Sequence, residues 1–275
     1  MQIQEILKLA RSRLQHSDTA VLDAEILLAH VLNKSREYLL GWPETELSAS
    51  QERDFQQVLQ RRVEGQPIAY LTGRKAFWDF ELSISPEVLI PRPETELLVE
   101  LALDLLPEQT VQLADLGTGS GAIALALGRE RPQWEITATD SSAPALEVAR
   151  RNALTLQVQN INFELSDWCA AISARLFDAI VSNPPYIAQD DAHLTQGDLR
   201  FEPAAALVAD DQGLADIQVI IRQARQVLVP DGLIMLEHGF QQGAAVRHLL
   251  QQSGYNAIQT RKDLAGLDRV SLARK

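Results

Sequence analysis

From Val111 onward, the chain alternates between strand-like and helix-like segments. Short apolar runs rich in branched residues, such as VQLADLG, WEITATD, INFELSD, FDAIVSN and GLIMLEHG, are separated by stretches with helical spacing of apolar residues. This alternation is typical of a parallel sheet covered by helices on both faces, with ligands bound at the carboxyl ends of the strands. The sequence therefore predicts an α/β domain with a doubly wound, mostly parallel sheet.

The first seventy residues have a different pattern. Apolar residues recur there at three- and four-residue steps, which predicts a small bundle of helices. Breaks fall at 16–18, 33–35 and 41–43, and Ser48 with Gln51 reads as a capping box that opens a helix. The aromatic and branched segment Ala76–Ser85 predicts a β-hairpin. We therefore expect a helical domain at 1–72, a hairpin linker at 73–90 and the α/β domain at 91–275.

Composition excludes several classes of protein. No apolar run approaches the roughly 20 residues that span a bilayer, and the first residues show neither the apolar segment nor the cleavage site of a secretion signal. The single cysteine, Cys169, excludes an intramolecular disulfide. The five histidines form no metal-binding spacing with it: His16, His30, His193, His238 and His248. We expect a cytoplasmic protein with no membrane contact and no metal.

The chain carries a formal net charge of -12. Proteins that grip duplex nucleic acid neutralise phosphates with clustered Lys and Arg. The basic pairs in this sequence, such as Arg61-Arg62 and Arg150-Arg151, are typical of solvated helix faces. We expect no direct nucleic-acid partner.

A glycine-rich segment joins the first strand of the α/β domain to a helix. It runs Asp115, Leu116, Gly117, Thr118, Gly119, Ser120, Gly121. Glycines allow a tight turn and let a ligand approach the backbone at a helix N-terminus. The segment predicts a nucleotide-binding loop, but it also fits the dinucleotide fingerprint and by itself does not choose between NAD and S-adenosylmethionine.

Acidic and aromatic residues end the next two strands. Asp140 comes 19 residues after Gly121 (140 - 121 = 19), where a carboxylate would accept hydrogen bonds from a ribose hydroxyl pair; the alternative is that Asp140 or Ser141 caps the next helix. Asp167 and Trp168 would contact an adenine amino group and line its ring pocket, unless Trp168 is simply a core residue. Both strand ends favour an adenosine ligand.

The fourth strand ends in Asn183-Pro184-Pro185-Tyr186. Two prolines remove backbone donors, keep their carbonyls and hold the chain extended, so that Asn183 faces the ligand crevice. The Asn183 side-chain carbonyl and the Pro184 carbonyl can accept both N–H bonds of a planar amino group, and Tyr186 can stack on it. This motif favours methyl transfer to a flat nitrogen, which needs orientation and no general base beforehand. His193 and His238 are near these loops but are not required.

The two motifs DLGTGSGAIALAL and VSNPPY together resemble those of class I methyltransferases that act on planar nitrogens. Four further segments, DAEILLAHVL, QPIAYLTGRKAFW, LIPRPETELLVE and RFEPAAALVADDQGL, are similar to the peptide chain release factor glutamine N5-methyltransferase family over nearly the whole chain. The resemblance implies a seven-stranded methyltransferase domain, S-adenosylmethionine as cofactor and the glutamine of a Gly-Gly-Gln loop in class 1 release factors as substrate. It also implies that Gly117–Gly121, Asp140, Trp168 and Asn183 contact the cofactor and that Asn183–Tyr186 hold the glutamine.

Three other functions remain open from the residues. A glutamine methyltransferase acting on a ribosomal protein would share the same catalytic loop. A DNA adenine-N6 methyltransferase would also use it, but must flip a base and hold a polyanion, which the acidic balance disfavours. A non-catalytic cofactor-binding protein would bind S-adenosylmethionine without turnover.

Overall fold

The computed structural model describes residues 1–15 and 17–275. Residue 16, with which the first predicted helix break begins, lies outside the described residues. The chain divides into two compact units. The helical unit comprises Met1–Arg74 and Thr195–Phe201, and the sheet unit comprises Lys75–Leu194 and Glu202–Lys275.

The helical unit contains five helices, as the apolar spacing predicts. They are α1 (Ile3–Arg13), α2 (Ala20–Leu32), α3 (Arg36–Gly41), α4 (Ala49–Val63) and α5 (Ile68–Thr72). The predicted capping box is confirmed, because the Ser48 hydroxyl accepts from the Gln51 backbone N–H and the Gln51 side chain accepts from the Ser48 N–H. The core is formed by buried aliphatic residues of α1, α2 and α4, together with Phe55.

Two acidic residues of α2 are buried and paired with arginines of this unit. Asp23 Oδ2 accepts from Arg62 Nε of α4 at 2.8 Å. Glu25 accepts from Arg11 of α1 at 3.0 Å and from Arg36 of α3 at 2.7 Å. Buried carboxylates are tolerated when charged hydrogen-bond donors compensate them, so these pairs fasten α2 to three other helices.

The segment Thr195–Phe201 belongs to this unit through arginine contacts. Arg200 Nη2 donates to the Glu64 carbonyl at 3.0 Å, and Arg62 Nη1 contacts Asp198 Oδ1 at 3.4 Å. Gly65 has a φ of +97°, and a Cβ there would lie 1.7 Å from Arg200 Nη2. A glycine is therefore required at 65 both by its backbone conformation and by this arginine.

The sheet unit begins with a hairpin and continues as alternating strands and helices. The hairpin strands are β1 (Arg74–Phe77) and β2 (Phe80–Ser83). The strands that follow are β3 (Gln112–Leu116), β4 (Glu135–Asp140), β5 (Ile161–Leu165), β6 (Phe177–Ser182), β7 (Ile187–Ala188), β8 (Val208–Ala209), β9 (Leu228–Glu237), β10 (Asn256–Lys262) and β11 (Asp268–Arg274). The helices are α6 (Glu96–Leu105), α7 (Ala122–Glu130), α8 (Ala143–Leu156), α9 (Asp210–Gly213), α10 (Ala215–Val227) and α11 (Gly243–Gln252).

Seven of these strands form one sheet in the order β10-β11-β9-β6-β3-β4-β5. Pairs from β9 through β5 are parallel, and β11 pairs antiparallel with both β9 and β10. The predicted doubly wound, mostly parallel fold is confirmed. The chain moves outward in one direction from β3 and in the other direction from β6, so the carboxyl ends of these two neighbouring strands form the switch point at which ligands bind in such sheets.

The long polar segment after β6 contains its own short structure. Strands β7 and β8 pair with each other in parallel, and short 3₁₀ turns lie between them at Ala192–Thr195, Leu199–Phe201 and Ala204–Ala206. Among the described residues, no helix combines the length and apolar character needed to cross a membrane.

Candidate active site

A cavity of about 340 Å³ lies at the carboxyl edge of β3, β4 and β6. Seven of the predicted site residues line it: Gly117, Gly119, Asp140, Asp167, Trp168, Asn183 and Pro185. Thr118, Ser120, Gly121, Pro184 and Tyr186 belong to the same loops but are not among the lining residues that the structure describes. The structure therefore brings together residues from four separate strand ends.

The glycine-rich loop is held mainly by backbone bonds. The N–H groups of Gly117 and Thr118 both donate to the Thr139 carbonyl at 2.9 Å, which ties the end of β3 to β4. The Thr118 hydroxyl donates to Asp115 at 2.6 Å and faces the protein interior. Positive φ values of +74°, +55° and +86° at Gly117, Gly119 and Gly121 explain the three glycines.

Trp168 forms one wall of the cavity. Its ring approaches Gly117 so closely that a Cβ at residue 117 would lie 3.2 Å from a ring carbon. Trp168 also packs against the main core cluster of the sheet unit. It therefore serves as a core residue and as a flat cavity wall, and the two readings of this tryptophan are compatible.

Asp140 is anchored by backbone N–H groups on both carboxylate oxygens. Oδ2 accepts from Gly119 and Oδ1 accepts from Ser142, each at 2.9 Å. Each oxygen keeps a lone pair that can accept a further hydroxyl proton. Burial raises the pKa of Asp140. The helix-capping alternative for Asp140 or Ser141 is wrong, because the N-cap of α8 is Ser142, whose hydroxyl accepts from the Ala145 N–H.

A second acidic residue accompanies Asp167 at the cavity. Asp216 of α10 also lines it, and burial, followed by the neighbouring charge of Asp167, raises the pKa of Asp216. The sequence analysis missed Asp216, since a single Asp in the first turn of a helix is commonplace.

Asn183 points one side of its amide at the protein and leaves the other side without a partner. Its Nδ2 donates to the Thr95 hydroxyl oxygen at 3.1 Å. Its Oδ1 is buried and accepts no hydrogen bond from any described residue. Buried carbonyl oxygens normally have a donor, so this oxygen is available to a ligand.

Tyr186 is fixed at both ends. Its hydroxyl donates to Glu237 Oε1 at 3.3 Å, and its carbonyl accepts from Gln242 Nε2 at 2.9 Å. Burial is the main cause that raises the pKa of Tyr186, so the phenol stays protonated. The proposed stacking of Tyr186 on a substrate amide stays a prediction.

Glu237 and Thr95 are residues that the sequence analysis did not select. Glu237 ends β9 and is 1% exposed, and Thr95 precedes α6 and is 4% exposed. Burial raises the pKa of Glu237 to about 7. Thr95 belongs to the segment LIPRPETELLVE, so the motif carried a signal without assigning a role to this residue.

Glu202 holds two walls of the cavity together. Its side chain accepts from the Ile90 N–H at 3.0 Å and forms an ion pair with Arg92. Val88 and Leu89 line the cavity just before these partners, and Pro203 lines it just after Glu202. The segments LIPRPETELLVE and RFEPAAALVADDQGL are therefore joined by a buried carboxylate.

The two histidines near these loops do not reach the cavity. His238 is buried, and its ring nitrogens contact Ser271 Oγ and the Gly239 carbonyl, each at 2.9 Å. His193 is exposed and contacts Asp191. Among the described residues, no group of three or more His, Cys, Asp and Glu side chains is arranged to hold a metal ion.

These residues fit S-adenosylmethionine. The glycines leave room for a ligand against the backbone, Asp140 can accept from ribose hydroxyls, and Trp168 offers a flat wall. The orphaned Asn183 Oδ1 provides a carbonyl dipole at the same cavity, where it would face positive charge favourably.

Two family models match this chain. The model described as the PrmC N-terminal domain matches residues 5–73, and the model described as the methyltransferase small domain matches residues 94–213. Together they account for the helical segment and for the part of the sheet unit that contains both cavity loops.

Curated relatives match along almost the whole chain. A release factor glutamine methyltransferase of Salmonella typhimurium is 50% identical over 274 residues, covering 100% of this chain and 99% of the relative. The enzyme of the same name from Coxiella burnetii is 48% identical over 260 residues, covering 94% and 93%.

A solved structure shares the fold. The 16S rRNA methyltransferase of Thermus thermophilus, determined with AdoMet and guanosine, has a TM-score of 0.54 and 23% identity. The match covers 74% of this chain and 49% of that one. This likeness supports the α/β architecture.

Proposed function

Because the chain belongs to the release factor glutamine methyltransferase family, we propose that it transfers a methyl group from S-adenosylmethionine to the side-chain amide nitrogen (N5) of the glutamine in the Gly-Gly-Gln motif of class 1 peptide chain release factors. The observation in the structure that carries the chemistry is the buried, unpartnered Oδ1 of Asn183 beside the glycine-rich loop. An acceptor in this position suits an amide nitrogen that must be held by its hydrogens.

The substrate nitrogen is a weak nucleophile, because its lone pair is delocalised into the amide carbonyl. We assign Asn183 Oδ1 and the Pro184 carbonyl as the acceptors of its two N–H bonds, which orients the nitrogen for in-line attack. Bound S-adenosylmethionine supplies an electrophilic methyl group on a sulfonium. One methyl replaces one amide hydrogen, which leaves as a proton after the transfer. A base is not needed beforehand, and the described cavity lining contains no histidine or cysteine.

The cofactor contacts are likewise proposals. Gly117, Thr118, Gly119, Ser120 and Gly121 form the loop against which the cofactor lies. The Asp140 carboxylate accepts from its ribose hydroxyls, supported by the free lone pairs described above. Asp167 and Trp168 contact its adenine, and Asn183 faces its methyl group.

We further propose a role for each part of the chain. Residues 1–72 dock the protein substrate, residues 73–90 link, and residues 91–275 catalyse. Release factors act in translation, so the proposed place of action is the cytoplasm, without direct contact to nucleic acid or membrane. The net charge of -12 supports the absence of a nucleic-acid partner.

The test is a mass-spectrometric methylation assay with S-adenosylmethionine. Purified class 1 release factor, the ribosomal protein substrate class and duplex DNA are offered separately. One added methyl on the glutamine of the Gly-Gly-Gln loop is the expected result. Methyl on another protein glutamine or on adenine, with none on the release factor, contradicts the proposed substrate.

Asn183→Ala separates positioning from binding. We expect kcat to fall by about 100-fold or more, because the nitrogen loses an orienting acceptor. The Kd for S-adenosylmethionine, measured by titration calorimetry, should stay close to that of the wild type. Asn256→Ala, an exposed asparagine of β10, is the matched control and should leave both constants unchanged. Near-normal turnover in Asn183→Ala contradicts the mechanism.

A further inference from the structure

Thr95 and Glu237 form a buried polar group directly behind Asn183. Strands β6 and β9 are parallel neighbours, and Ser182 lies opposite Leu236. The residues that follow these two, Asn183 and Glu237, therefore leave the sheet side by side. Thr95 reaches the same place from the 3₁₀ turn before α6, and its hydroxyl oxygen accepts from Asn183 Nδ2 at 3.1 Å.

Hydrogen-bond donors and acceptors can be counted here. A threonine hydroxyl has one proton and two lone pairs. Asn183 uses the Thr95 oxygen as an acceptor, so the Thr95 proton must go elsewhere. Thr95 hydrogen-bonds to Glu237 and lowers the pKa of its carboxyl, and Glu237 Oε2 has no aligned partner among the described residues. The carboxylate is thus the acceptor available for this proton.

We propose that Thr95, oriented by Glu237, is a positioning residue that locks the Asn183 amide with its Oδ1 turned toward the substrate nitrogen. This inference rests on the proposed function, since it concerns the same Asn183 contact. Neither Thr95 nor Glu237 lines the described cavity. Both act on the reaction only through Asn183.

The reason is the near symmetry of an asparagine side chain. Its oxygen and its NH₂ group differ little in size, so packing alone does not choose which one faces the substrate. A reversed amide would present N–H donors to the N–H donors of the substrate and would push the nitrogen away. A threonine whose proton is already committed to a carboxylate offers only lone pairs to Asn183, and only the NH₂ side can use them.

The direction of this relay depends on the ionised form of Glu237, because a protonated carboxyl can donate instead of accept. Burial raises the pKa of Glu237 to about 7, and Thr95, Arg269 of β11 and Tyr186 lower it. Glu94, which precedes Thr95, raises it. The neighbouring His238 has both ring nitrogens engaged. The relay should therefore be complete above neutral pH and weaken below it.

The test compares Thr95→Val with Thr95→Ser in the full-length protein. Valine keeps the shape and removes the hydroxyl, whereas serine keeps the hydroxyl. We expect Thr95→Val to lower kcat on the order of 100-fold, the size of effect that misorientation by about 1 Å produces. The KM for release factor and the Kd for S-adenosylmethionine should stay close to wild type. Thr95→Ser should restore kcat.

Each outcome separates the inference from the proposed function. Wild-type protein that does not methylate release factor contradicts the function. Active wild type with equal kcat in Thr95→Val and Thr95→Ser overturns the inference alone. A general packing defect in Thr95→Val would raise the Kd for S-adenosylmethionine and lower the unfolding midpoint, and such a result also counts against a positioning role.

Glu237→Gln provides a second readout. The amide oxygen of glutamine still accepts the Thr95 proton but does not titrate. We expect wild-type kcat to rise with pH across the region around the Glu237 pKa of about 7, and kcat of Glu237→Gln to be flat there. A rise of equal size in both proteins overturns the assignment of Glu237.

Discussion

The two units of the molecule treat buried carboxylates in opposite ways. In the helical unit, Asp23 and Glu25 are buried, and each is bound by arginine at 3.0 Å or less. In the sheet unit, Asp115 and Glu237 are buried, and neither forms an ion pair with a described residue. Their aligned side-chain donors are hydroxyl groups, Thr118 for Asp115 at 2.6 Å and Tyr186 for Glu237 at 3.3 Å.

The difference separates structural acids from acids at the ligand edge. An arginine partner stabilises the ionised carboxylate and fixes two helices to each other. A hydroxyl compensates burial only in part, and burial accordingly raises the pKa of both Asp115 and Glu237 to about 7. Such acids cost stability at neutral pH. They also leave electronegative groups near a cavity that fits a cationic cofactor.

The largest effect is expected in the helical unit. Arg62→Ala leaves Asp23 buried with only the hydroxyls of Ser17 and Thr19 as side-chain partners among the described residues. We expect the free energy of unfolding to fall by about 3 kcal/mol, since removing one partner strands a buried charge. Urea unfolding followed by circular dichroism measures it.

The matched control for Arg62→Ala is Arg129→Ala. Arg129 pairs with Asp79 at 3.0 Å, but both side chains are more than a third exposed. Exposed pairs contribute about 0.2–1 kcal/mol because solvent screens them. Equal losses in the two variants contradict a special role for the buried Asp23 pair.

Asp115→Asn should have the opposite sign. The unfolded carboxyl ionises near its model value of 3.8, and burial raises the folded pKa to about 7. The folded state therefore holds a proton that the unfolded state has lost, and the free energy of unfolding falls as pH rises through this window. Above the folded pKa the full cost remains.

Asparagine at 115 keeps an acceptor for the Thr118 hydroxyl and cannot ionise. We expect Asp115→Asn to gain about 2 kcal/mol relative to wild type between about pH 5 and about pH 8, as measured by urea unfolding at both pH values. Asp23→Asn, the same substitution in the helical unit, should lower stability at both. Loss of stability in both variants at high pH breaks the comparison between the two units.

The sequence predicts those parts of the site that depend on local pattern. The glycine-rich loop follows from a strand, positive-φ glycines and a helix, all within about a dozen residues. The acceptor role of Asn183 follows from two adjacent prolines. The Thr95 contact is different, because 88 residues separate Thr95 from Asn183 and only the finished sheet brings them together. Its spacing carries no local signal.

The fold shows the same limit at its ends. Strands β10 and β11 were not recognised from the residues, although the resemblance implies seven strands. β10 is an edge strand whose residues are mostly exposed and polar, as in Gln259, Thr260, Arg261 and Lys262, so it lacks apolar alternation. The pairing of Asp23 and Glu25 was also missed, because helical periodicity identifies a buried face without identifying an arginine on another helix.

The smallest expected effect tests whether one partner can replace another. Glu25 contacts both Arg11 and Arg36, so Arg36→Ala leaves the carboxylate with one cation. Arg36 is 46% exposed at its side chain, and we expect a loss of only about 0.5–1 kcal/mol after screening. Arg11→Ala should behave alike. The double variant should lose clearly more than the sum of the two, because only then is Glu25 buried without a cation. Additive losses in urea unfolding would mean that Glu25 behaves as a surface acid, and the contrast with Asp115 and Glu237 would then rest on Asp23 alone.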